Sequence, residues 1–210
     1  MSRLFVFGVI AMAVVVTTSN VLVQFTFGQW LTWGAFTYPF AFLVTDLCNR
    51  FGGAALARRV VFFGFAVGVV CSLIGSQLEG PYGPYVTLRI ALGSGIAFLV
   101  AQLLDVAIFQ KLRAGRWWQA PAVSSFFGSA VDTFLFFAIA FSASLAFVDP
   151  SADIAWAQEQ LPILSVGPIA PLWVSLAVAD FGVKILLALL ALIPFRLFVR
   201  RFHDLPQSAL

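Results

Sequence analysis

Residues 4–24 carry no charge, and neither do residues 60–77. Runs of this length match the roughly 20 apolar residues that an α-helix needs to cross a bilayer core. They are continuous rather than alternating at period two, which favours spanning helices over the strands of a barrel. The chain is 61% hydrophobic and 10% charged, whereas soluble domains carry about 25% charged residues. So few charges cannot clothe a water-facing surface. The expectation is an all-α membrane protein of one domain.

Six spans are expected, at residues 4–24, 33–48, 60–77, 86–109, 120–147 and 172–198. Residues 1–198 then form a six-helix transmembrane domain and 199–210 a tail. The first run is long, has no small-x-small exit and continues into Asn20 and Gln24. It therefore reads as a span and not as a cleavable signal. Ten of the twelve bases fall at alternate ends of these spans. They are Arg3, then Arg50, Arg58 and Arg59, then Lys111, Arg113 and Arg116, then Arg196, Arg200 and Arg201. Bases collect in cytoplasmic loops, so both termini are expected in the cytoplasm. Trp117 and Trp118 fit an interfacial aromatic belt. The net charge of +3 is used by topology and implies no nucleic acid.

Ionisable residues within spans are rare and mark pathways or sites. Asp46, Arg89, Asp105, Asp132, Asp180 and Lys184 lie in or near the apolar runs. Thr17, Asn20 and Gln24 share one face of the first span at i, i+3 and i+7. That stripe reads equally as interhelical glue and as part of a site. Asp46 and Arg50, four apart, can pair, or Asp46 can face a ligand. Gln102 and Asp105 share a face of the fourth span, and Arg89 lies too far round that helix to reach Asp105. Ser125, Gly128 and Asp132 build a small polar face on the fifth. Asp180 and Lys184 are in the favoured order for a helix ion pair, with proton or ion coupling as the sharper reading.

Hydrolytic and redox chemistry find no support. His203 is the sole histidine, and Cys48 and Cys71 lie apart in apolar segments. No metal site, cofactor site or phosphate-binding glycine loop is present as a motif, so the chain is not expected to be an enzyme.

Several stretches together resemble a known family. They are Phe42-Leu43-Val44-Thr45-Asp46-Leu47-Cys48-Asn49-Arg50-Phe51-Gly52, Ala57-Arg58-Arg59, Arg89 through Gln102 to Val106, Phe109 to Arg113, and Trp117-Trp118-Gln119-Ala120-Pro121. Gly128 to Thr133 and Asp180 to Lys184 complete the set. This order resembles the bacterial queuosine-precursor transporters, also called the vitamin uptake transporter family, over about residues 15–195. The second acid that many members carry after the first Asp is replaced by Asn49-Arg50.

The resemblance implies an inner-membrane importer of 7-cyano- or 7-aminomethyl-7-deazaguanine, working by secondary transport that a proton could drive. The alternative is a substrate-binding membrane subunit of an ATP-driven (ECF-type) complex; a third class is a membrane protein without a ligand. The expected substrate site is Asn20, Gln24, Asp46, Gln102, Asp105 and Asp132, with Arg89, Asp180 and Lys184 as coupling or structural charges. The expected partners are the small 7-deazaguanine, the lipid bilayer and a second copy of the chain.

Overall fold

A computed structural model describes residues 2–80 and 83–202; His203 lies outside them. The chain is all-α, with helices α1 (Arg3–Leu22), α2 (Gly34–Thr37), α3 (Phe40–Gly75), α4 (Leu88–Leu112), α5 (Gln119–Phe141) and α6 (Leu172–Phe202). Short antiparallel hairpins occupy the connections: β1 (Thr26–Phe27) with β2 (Leu31–Thr32), β3 (Glu79–Gly80) with β4 (Gly83–Pro84), and β5 (Gln160–Pro162) with β6 (Ile169–Pro171).

Five helical segments among the described residues are long and apolar enough to cross a membrane. One of them, residues 34–75, contains a break. Gly53 sits at φ 78° and ψ 171°, a region open essentially to glycine alone. Helical hydrogen bonding runs up to it on both sides, yet the chain reverses there. The contacts with α1 show this. Ser19 Oγ meets Thr37 Oγ1 at 2.9 Å, and a Cβ on Gly8 would come within 2.7 Å of Cys48 Sγ. The first arm therefore runs antiparallel to α1. The same Cβ on Gly8 would lie 3.1 Å from Val60 Cγ2, and one on Gly64 would lie 2.5 Å from Met12 Cγ. The second arm thus runs parallel to α1. Each arm is long enough to span: residues 34–52 and 54–75 give about 28 and 33 Å at the α-helical rise. The bundle therefore makes six passes.

Several boundaries depart from the sequence reading. No open loop separates the second and third spans, because one positive-φ glycine makes the turn, and Arg58 and Arg59 are helical. The start of the second pass is interrupted at Pro39, whose ring nitrogen donates no hydrogen bond, which splits α2 from α3. α5 ends at Phe141, and residues 143–148 form a 3-10 helix instead. α6 continues past residue 198 to Phe202.

α4 sits innermost, with 44% of its most apolar window buried, whereas α6 is peripheral at 6%. α4 packs antiparallel to α5. Arg89 at its start donates Nε–H to Ile139 O at 3.0 Å and Nη2–H to Ser142 O at 2.6 Å, capping the carbonyl end of α5. At the opposite end, Arg50 Nη1 donates to Arg113 O at 3.1 Å, and Arg113 Nη2 donates to Arg50 O at 2.6 Å. Each arginine closes the other's chain end, tying the first arm of α3 to α4.

Candidate functional site

Two buried polar clusters lie on the inner face of α5, at different depths. The lower one joins three helices. Thr45, Asp46 and Asn49 come from the first arm of α3, Gln102 and Asp105 from α4, and Ser124 and Ser125 from α5. Helical spacing explains the grouping: Thr45 and Asn49 are one turn apart, as are Gln102 and Asp105. Thr45 Oγ1 hydrogen-bonds Gln102 Oε1 at 2.6 Å, and Asn49 Nδ2 donates to Val106 O at 3.0 Å. Ser124 and Ser125 reach Asp46 at the long distances of 3.3 and 3.5 Å. Asp105 is a direct neighbour of Asp46 and Ser124, yet neither of its oxygens has a well-formed hydrogen bond.

Burying these groups is costly. Asp46 is 2% exposed, Asp105 and Gln102 0%. Among the described residues neither carboxylate forms an ion pair. The Gln102 amide end not taken by Thr45 has no partner. Buried polar groups are normally satisfied, and an unsatisfied one costs about 1–3 kcal/mol, more if charged. Two acceptor carboxylates beside a spare amide can together accept adjacent N–H donors and donate to a carbonyl. A narrow cleft of about 10 Å³, room for roughly one water, reaches Asp46 between α3, α5 and α6. Pro39, Phe42, Leu43, Ser125 and Phe195 line it.

The upper cluster is charged. Lys184 Nζ lies 2.6 Å from Asp132 Oδ2 and 2.5 Å from Asp180 Oδ2, and also donates to Thr133 Oγ1 at 3.1 Å. Tyr38 OH donates to Asp132 Oδ1 at 2.9 Å, and Thr133 Oγ1 to Asp180 Oδ2 at 2.8 Å. Lys184 and Asp132 are 4% and 3% exposed. The pair expected from i, i+4 spacing in α6 is thus present and extends to α5 and the α2–α3 junction.

The candidate residues therefore divide. Asp46, Gln102 and Asp105 come together. Asp132 belongs to the upper cluster with Asp180 and Lys184. Asn20 bonds back to Val16 O at 2.8 Å, one turn up its own helix. Gln24 lies past the end of α1 on an exposed turn, because the helix stops at Leu22. Arg89 joins no ion pair among the described residues; it caps backbone carbonyls instead. Arg50 likewise turns to Arg113 rather than to Asp46.

Tyr38, Phe42, Thr45, Ser129 and Thr133 escaped the sequence reading as site residues. A signal existed for two of them: Tyr38, Phe42 and Asp46 recur every four residues on one helical face. Among the described residues no group of three His, Cys, Asp or Glu could hold a metal ion.

The family model described as "Putative vitamin uptake transporter" matches residues 32–199. The chain belongs to that family. It is 37% identical to the "Queuosine precursor transporter" of Escherichia coli (strain K12) over 194 residues, 86% of this chain and 79% of that protein. It is 42% identical over 138 residues to the "Probable queuosine precursor transporter" of Haemophilus influenzae, covering 60% of this chain and 57% of the relative. The Bacillus subtilis protein of the same description is 30% identical over 133 residues, 55% of this chain and 58% of the relative. No solved structure matches. The vitamin uptake transporter family is one of transporters rather than enzymes. With its apolar passes, the chain is a multi-pass protein of the bacterial inner membrane. The match begins at residue 32, so all the buried acids fall inside it and α1 does not.

Proposed function

We propose that the protein imports queuosine precursors, 7-cyano- or 7-aminomethyl-7-deazaguanine, and that the lower cluster grips the base. The observation that carries this reading is the uncompensated Asp46–Asp105 pair beside the spare amide of Gln102. A guanine-like edge offers two adjacent N–H groups, which one carboxylate accepts side by side, while the amide donates to the carbonyl. Phe42 and Phe195 supply aromatic walls for the flat ring. Names of relatives, at 37% identity over most of the chain, support the same substrate class.

Transport on this reading is secondary. Two carboxylates buried side by side without a cation are costly to keep both charged. A proton between Asp46 and Asp105 relieves that cost, and exchanging that proton on the two sides of the membrane couples it to the base. With the basic ends of the passes taken as cytoplasmic, both termini lie in the cytoplasm on this reading.

The test uses cells unable to make the precursor. Expression of this chain restores queuosine in tRNA at low external precursor, and liposomes containing only this protein take up precursor under an inward proton gradient. Restoration in cells without uptake under any ion gradient in liposomes would instead favour a subunit that needs an ATPase. No restoration in cells would end the import reading.

A further inference from the structure

The three helices that line the cleft to Asp46 each run, at one end of it, into a member of the upper cluster. On the first arm of α3, Asp46 and Phe42 lead to Tyr38; on α5, Ser125 leads past Gly128 to Asp132; on α6, Ala188 leads to Lys184. Each step is three or four residues, about one helical turn. The three runs end together. Tyr38 OH donates to Asp132 Oδ1 at 2.9 Å, Lys184 Nζ lies 2.6 Å from Asp132 Oδ2, and the same Nζ stands 5.3 Å from the centre of the Tyr38 ring. The cluster thus joins all three walls just beyond the cleft.

The next layer is also closed. The Phe42 ring, 2% exposed, meets the Tyr38 ring edge-on with 6.5 Å between centres, and a Cβ on Gly128 would come within 2.7 Å of it. Glycine lets the ring pack against the α5 backbone. What remains of the cleft, about 10 Å³, is far below the roughly 300 Å³ at which small-molecule sites begin. A bicyclic base reaches Asp46 only after these walls part.

The members of the cluster are held unequally. Lys184 pairs with Asp132 and Asp180 and donates to Thr133, all on α5 or α6. Those ties stay made when α3 moves. Tyr38 is the member on the α3 side. It stands at the break between α2 and α3, where the Pro39 nitrogen donates no hydrogen bond. Moving it away from α5 and α6 breaks a hydrogen bond and a cation–π contact and leaves the buried ion pairs whole.

We propose that Tyr38, Asp132 and Lys184 form a gate over the outer end of the cleft, with Phe42 as the layer beneath and Tyr38 as the part that moves. That this end is the outer one rests on the topology of the reading above, since it lies away from the basic ends of the passes.

The experiment follows a cysteine inside the cleft. Ser125→Cys is placed in the full chain with Cys48→Ala and Cys71→Ala, and a membrane-impermeant thiol reagent is applied to spheroplasts or to inside-out vesicles. With Tyr38 present, labelling from outside is expected to be slow. Tyr38→Phe keeps the ring and removes the hydroxyl. It is expected to speed labelling from outside by about tenfold or more, the effect of one hydrogen bond to a charged group on the opening equilibrium, with the rate from inside unchanged. An unchanged outside rate overturns the gate. So does a rise from both sides, which marks general loosening, or a rise from inside alone. If Tyr38→Phe fails to fold, Phe42→Leu, which thins the layer beneath, is judged by the same outcomes. No precursor is needed, so failed import together with a rise from outside alone strikes the import reading and leaves the gate standing.

Discussion

Asp105→Asn is expected to cut precursor uptake by about a hundredfold or more, the loss of a charged two-point acceptor worth about 3 kcal/mol. The same substitution is expected to leave the thermal unfolding midpoint in detergent unchanged or raised. Asp105 is fully buried with no well-formed hydrogen bond and no cation. Replacing it by a neutral side chain of the same shape removes an unfavourable buried charge. Asp46→Asn is expected to behave alike in uptake and to gain less in stability, because Ser124 and Ser125 already contact Asp46. Measured together, uptake and unfolding separate a ligand-binding acid from a structural one. A variant that loses stability and uptake in parallel would reclassify the residue as part of the scaffold.

Lys184→Met is expected to have the largest effect on stability. It leaves Asp132 and Asp180 facing each other in the bundle without their shared cation. Breaking a buried ion pair from one side costs about 3–5 kcal/mol, a large share of the 5–15 kcal/mol that holds a typical domain together. Yield of folded protein and the unfolding midpoint should both fall. Adding Asp132→Asn and Asp180→Asn to the same chain should recover much of the loss, since the uncompensated charge goes with them. A Lys184→Met protein that melts like the parent would show that the cluster does not brace α5 against α6.

The contrast between these two sites explains what the sequence could disclose. Span number and class were legible because lipid forces long uncharged runs into helices. The relation between Asp180 and Lys184 was legible because four-residue spacing is local. Partners across helices were not. Asp132 reaches Lys184 over 52 residues and Ser124 reaches Asp46 over 78, and no periodicity within one helix encodes such a meeting. Gln24 shows the reverse failure: its place on the polar stripe depended on α1 running two residues further than it does. Arg89 was misjudged for a related reason. Its natural partners are the backbone carbonyls ending α5, which carry no sequence signature. The turn between the second and third passes was expected as a loop at 49–59, whereas Gly53 alone makes it with one positive φ.

The account stands or falls on a buried carboxylate accepting the donor edge of a guanine-like base. Equilibrium binding of 7-aminomethyl-7-deazaguanine, compared with its analogue lacking the exocyclic amine, tests this most directly. The account expects the analogue to bind about a hundredfold more weakly or worse in the parent protein, because a site built to hydrogen-bond a group rejects the ligand without it. In Asp105→Asn or Asp46→Asn the gap should shrink to a few-fold at most, on the order of one lost hydrogen bond. Equal binding of the two compounds to the parent protein would contradict it.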